Sequence, residues 1–75
     1  MEELLEILRG VNANVDFENE KHLVTGKILN SIDITSMIVE IEEHFDIEFT
    51  VDYMVNENFD SVESIWDMIQ ELQDW

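Results

Sequence analysis

The apolar ladder Ile34, Met37, Ile38, Ile41 and Phe45 constrains this chain more than any other feature. At about 100° per residue these side chains gather within roughly 60° of Ile34, the stripe of a helix that buries one face. Asn30-Ser31-Ile32-Asp33 stands immediately ahead. Asn and Ser are N-cap types, and an acidic residue in the first turn suits the positive end of the helix dipole. The spacing predicts a helix over about residues 31–45. With no cysteine in 75 residues, neither disulfides nor cysteine-ligated zinc can staple so short a chain. Regular helix packing is then the simplest source of stability.

Two more helices follow from the same logic. Leu4, Leu5, Leu8 and Val11 fall at helical spacing behind Glu2 and Glu3, with Arg9 and Gly10 as last turn and C-cap. This predicts a helix over about 2–10, or one turn further. Val62, Ile65, Trp66, Ile69 and Leu72 form the stripe of a last helix, about 61–73, opened by the capping-box-like Asp60-Ser61-Val62-Glu63. Between these lie two connections. Residues 11–30 lack periodicity and are rich in turn formers; Phe17, Leu23, Val24, Ile28 and Leu29 are expected to pin them to the core. After the extended pair Ile47 and Phe49, Thr50 is positioned to cap a short helix from Val51 to about Asn56, with Tyr53, Met54 and Val55 turned inward. The expected fold is all-α: one domain, residues 1–75, with three main helices and one short one.

Charge limits the partners. Nineteen acidic residues against three basic give a formal net charge of −16. That repels nucleic acid and anionic lipid, and favours proteins with basic patches. The start Met-Glu-Glu-Leu-Leu has no basic n-region, and no apolar run is long enough for a signal peptide or a membrane span. A cytoplasmic monomer without membrane insertion is the expectation.

The text around Ser31 carries more than a cap. Gly26-Lys27-Ile28-Leu29 precedes it, the acidic amphipathic stretch 34–49 follows, and Glu57-Asn58-Phe59-Asp60-Ser61-Val62 opens the last helix. Over about residues 23–66 the chain resembles acyl and peptidyl carrier proteins, whose Asp-Ser-Leu motif carries 4′-phosphopantetheine on the serine. The resemblance implies a small acyl-carrier-like bundle. It implies Ser31 as the attachment site, with Asn30 and Asp33 beside the phosphate. It also implies a phosphopantetheinyl transferase that takes the arm from coenzyme A. Asn30 stands where the family has aspartate; it can cap but lacks the charge. Ile32 replaces leucine and stays apolar. A helix start suits a phosphodiester in any case, because its N–H groups are unpaired and its dipole end is positive.

Ile32 and Val39 fall roughly 140–160° from Ile34, on the face shared with Ser36 and Glu43. Single exposed aliphatics are ordinary, yet this pair flanks the candidate serine, and the resemblance makes it a docking face. Glu40, Glu42, Glu43 and Glu48 would form its acidic rim, although for any one of them a solvated charge is the simpler reading. Partners would be acyl- or aminoacyl-loading and processing enzymes. A D-alanine or other aminoacyl carrier for the cell envelope is an alternative, as is an acidic adaptor with no prosthetic group.

Other constellations fail on inspection. Asn12, Asn14, Asp16, Glu18 and Glu20 alternate like a calcium loop, but Phe17 sits where glycine is needed and Leu23 where the bidentate glutamate belongs. His22 and His44 are far apart in sequence. Trp66 reads as core and Trp75 as a fraying end. Ser31 has no local histidine, glycine elbow or oxyanion loop, so a carrier is expected and not an enzyme.

Overall fold

The computed structural model of the chain describes residues 1–74; Trp75 and its expected fraying lie outside the described residues. The fold is all-helical, with no strand among the described residues. Helix α1 spans Glu2–Val11, α2 Ser31–Phe45 and α3 Val62–Gln73. The Cα radius of gyration is 11.2 Å, against roughly 11 Å for a compact body of this length.

Each helix starts and buries the face its sequence dictates. Asn30 caps α2: its side-chain oxygen accepts the Asp33 N–H at 2.8 Å. Ser61 caps α3, accepting the Ser64 N–H at 3.2 Å, and its hydroxyl donates to that of Ser64 at 3.0 Å. Serine thus takes the place that glutamate holds in a full capping box. Leu4 and Leu8 of α1, Met37 and Ile41 of α2, and Ile65 and Ile69 of α3 are completely buried in one core. Ile34, Ile38, Phe45, Trp66 and Leu72 are half-buried around it. Trp66 meets Phe45 edge-on, centroids 6.0 Å apart. Met68, outside the expected stripe, is buried as well, whereas Trp66 is only half-buried.

Helices α1 and α2 run antiparallel. His44 Nε2 near the end of α2 lies 3.3 Å from Glu3 Oε2 at the start of α1. At the opposite ends, Asn12 Nδ2 donates to Asp33 Oδ2 at 3.3 Å.

Four expectations are corrected. Ile28, expected to pin the first connection, is 41% exposed and lies outside the core, whereas Phe17, Leu23 and Leu29 are buried and Val24 is half-buried. Gly10 is not the cap of α1. It lies inside the helix, which continues to Val11 because Val11 packs on the core, and Asn12 ends it in an extended conformation. The short helix over Val51–Asn56 is instead two 3₁₀ turns, Val51–Tyr53 and Asn56–Phe59, separated by Met54 and Val55. Those two side chains point outward, 47% and 49% exposed, and only Tyr53 is half-buried. The inward anchors of this connection are Phe49 and Phe59, which meet edge-on at 5.4 Å.

Helix α2 ends on Asp46 in the left-handed region, φ 53°. The Asp46 and Ile47 N–H groups both turn back to the Glu42 carbonyl, a Schellman-type stop with Ile47 folded onto the core. The Glu42 side chain extends the stop by accepting the Phe49 N–H at 2.9 Å. Glu42 is therefore half-buried and structural, and not simply part of an exposed rim.

Candidate functional site

Ser31 is the first helical residue of α2 and is exposed. Its carbonyl accepts the Thr35 hydroxyl at 2.8 Å, whereas its own hydroxyl has no partner among the described residues. Asn30 occupies the Asp33 N–H, so the backbone N–H groups of Ser31 and Ile32 are the ones left open at this helix start. Asn30 fills the capping role with its amide oxygen and needs no charge for it. Asp33 supplies that charge in the first turn, half-buried, with its carboxylate held by Asn12. Beside them Ile32 is 76% exposed, an apolar side chain with almost nothing to pack on.

A free hydroxyl, two open N–H groups and the positive end of a 15-residue helix fit a phosphate ester. Lys27, four residues upstream, is the one unpaired basic side chain among the described residues; Arg9 pairs with Glu18 and Lys21 with Glu63.

Val39 lies two helical turns beyond Ile32 on the same face, about 10 Å along the axis, and is 46% exposed. The acidic residues near it divide between two shallow grooves. Val39 and Glu43 line one with Glu42, Asp46, Ile47 and Glu48. Glu40 lines the other, between α1 and α2, with Glu6, Ile7, Gly10, Val11 and Ser36.

The calcium-like loop spends its polar groups on itself. Asn12 Oδ1 accepts the Asn14 N–H, Asp16 Oδ2 accepts the Asn19 amide, Glu20 accepts the N–H groups of Lys21 and His22, and Glu18 pairs with Arg9. No group of three metal-binding side chains forms among the described residues. No described helix is long and apolar enough to cross a membrane.

The segment leading to Ser31 is held by a residue the sequence did not single out as a site. Asp60 Oδ1 accepts the Val24 N–H at 2.9 Å and the Thr25 N–H at 2.8 Å, and Oδ2 accepts the Thr25 hydroxyl at 2.8 Å. Burial raises the pKa of this carboxyl. The Thr25 N–H and hydroxyl and the Val24 N–H, with a smaller electrostatic contribution from His22, outweigh it and hold the pKa below the ordinary 3.8. Next along, Glu63 is lowered chiefly by its hydrogen bond from Lys21. Only the Asp-before-cap position of Asp60 hinted at such a role; its partners lie 35 and 36 residues away.

No protein-family model, curated protein or solved structure matches the chain.

Proposed function

We propose that this protein is a discrete acyl or aminoacyl carrier, loaded on Ser31 with 4′-phosphopantetheine from coenzyme A. The observation that carries the reading is the Ser31 hydroxyl: on an exposed residue, without a partner among the described residues, and seated on the first residue of a long helix whose cap is satisfied by its neighbour. The arm would supply the thiol that this cysteine-free chain lacks, and so hold cargo as a thioester.

The chain's own residues do the rest. The N–H groups of Ser31 and Ile32 and the helix dipole stabilise negative charge at the attachment oxygen, by a few tenths to about 1 kcal/mol at an exposed position. Asn30 and Asp33 fix the helix start. Ile32 and Val39 offer an apolar face, and Glu40 and Glu43 an acidic rim, to the basic docking patches of a phosphopantetheinyl transferase and of loading and processing enzymes. Nothing in this division of labour requires the carrier to catalyse a reaction itself. Fatty-acid, polyketide, nonribosomal-peptide and cell-envelope D-alanine pathways all fit that chemistry.

Intact mass after incubation with coenzyme A and a broad-specificity transferase tests the reading. The wild type should gain the arm and Ser31→Ala should not, with the same helical circular dichroism. The same exposed Ile32 and Val39 would also serve an acidic adaptor with no prosthetic group; an unmodified wild type selects that second reading. Ile32→Gln and Val39→Gln should each raise KM with the transferase without lowering the melting temperature, since both side chains are exposed and no charge is added.

A further inference from the structure

We propose that Asp60 is a positioning residue for Ser31, fixing the loop that delivers the serine to the start of α2. The inference takes its functional meaning from the carrier reading.

Asp60 lies immediately before Ser61, the cap of α3. Its carboxylate takes three bonds from Val24 and Thr25, and its carbonyl takes a fourth, from the Leu23 N–H at 2.9 Å. Three consecutive loop residues are thus tied to one residue of the connection that leads into α3. From there the bonds lead directly toward the serine. The Leu23 carbonyl accepts the Leu29 N–H at 2.9 Å, closing residues 23–29 into a ring. Inside it, the Gly26 N–H reaches the His22 carbonyl at 2.8 Å and the Lys27 N–H reaches Val24 at 3.0 Å.

The ring admits little alternative geometry. A Cβ on Gly26 would sit 2.5 Å from the His22 carbonyl oxygen, and Lys27 is held at φ 59°. Leu23 and Leu29 anchor both ends in the core. Leu29 is then followed by Asn30 and Ser31. Because the Ser31 hydroxyl has no partner among the described residues, it is presented by the backbone alone, and the path of this loop sets where the capped start of α2 is placed. Bonds to an ionised acceptor are the strong ones, and an acidic residue that stays ionised at low pH keeps them.

The test compares wild type, Asp60→Ala and Asp60→Asn at a temperature where circular dichroism shows all three folded. Asp60→Ala should speed amide exchange at Val24, Thr25 and Leu29 by about tenfold or more, the loss expected for an unmade bond, and by more than at Leu8, Ile41 and Ile65, whose buried amides exchange only with the smaller change in global stability. With coenzyme A and a broad-specificity transferase, its kcat for arm transfer should fall about tenfold while KM stays near wild type, because the α2 docking face is untouched. Asp60→Asn should recover much of both, since its oxygen can accept the two N–H groups and its amide can donate to the Thr25 hydroxyl. If Asp60→Ala does not fold, Thr25→Val removes the hydroxyl bond alone and should give a smaller fall in kcat. A loaded wild type beside a folded Asp60→Ala with unchanged kcat overturns the inference and leaves the carrier reading intact. A wild type that gains no arm overturns the carrier reading, and this inference with it.

Discussion

Replacing Asp46 with glycine should stabilise this protein. Asp46 ends α2 in the left-handed region at φ 53°, where a Cβ crowds the following carbonyl. Relief of that contact is worth about 1 kcal/mol, the low end of the range because aspartate tolerates the region better than most residues. The carboxylate also faces the negative end of the helix dipole, and its removal adds about 0.3–1 kcal/mol at low salt. Against this, glycine gives the unfolded chain extra freedom, about 0.5–1 kcal/mol. The side chain makes no hydrogen bond or ion pair among the described residues, so none is lost. The balance is about 1 kcal/mol in favour of the variant. For a domain of this size that is a rise in Tm of roughly 4–8 °C. Asp46→Asn separates the two contributions: it removes the charge but keeps the Cβ, and should rise by less. Thermal melts at 10 mM and 500 mM salt read both. A glycine variant that melts at or below wild type, with Asn above it, would falsify the backbone argument.

Other expectations concern the charge and the core. Asp60 has its pKa lowered in the folded chain, so its stabilisation is complete above the ordinary carboxylate range and is lost as pH falls through the lowered value. Urea melts should therefore show a clear gap between wild type and Asp60→Ala at pH 7 that narrows at pH 2; a gap of constant size contradicts the assignment. The net charge of −16 should make Tm climb with sodium chloride or magnesium, because screening relieves more repulsion than it weakens the exposed ion pairs; a flat salt series is the contrary result. Met37 is completely buried, and Met37→Ala should cost about 2–5 kcal/mol; a loss below 1 kcal/mol by denaturant titration would mean that the site collapses around the smaller residue. Gly26→Ala pushes a Cβ to 2.5 Å from a backbone oxygen and should lower stability by about 1–3 kcal/mol, with an unchanged Tm as the refuting outcome.

Where the sequence was informative and where it was silent has a physical division. The starts of α2 and α3 were legible because a cap precedes an apolar stripe, and both signals are local: Asn30 binds Asp33, and Ser61 binds Ser64, three residues on. The extent of α1 was legible to within a turn but its cap was not, because Gly10 is a cap type by propensity, while the contact of Val11 with the core extends the helix one residue past it. Val51–Asn56 carried apolar residues without a period long enough to distinguish one helical turn from two 3₁₀ turns, and so Met54 and Val55 were placed inside when they lie outside.

The same division runs through the candidate site. Ser31 and its exposure could be read from position on the helix, as could the outward faces of Ile32 and Val39. The bonds that hold the approach to Ser31 could not, because they join Asp60 to Val24 and Thr25 across the fold, and hydrogen bonds over 35 and 36 residues leave no periodic trace in a single chain. Glu42 shows the point in reverse. By sequence it is one more acid on a charged helix, but its side chain caps the Phe49 N–H while its carbonyl ends α2. An acidic surface therefore cannot be read as uniform docking charge. Glu40 and Glu43 are exposed and unpaired among the described residues, whereas Asp60 and Glu42 are committed to the fold, and charge reversals at the two kinds of position should separate accordingly: weaker encounter with the proposed basic partner for the first pair, lower stability for the second.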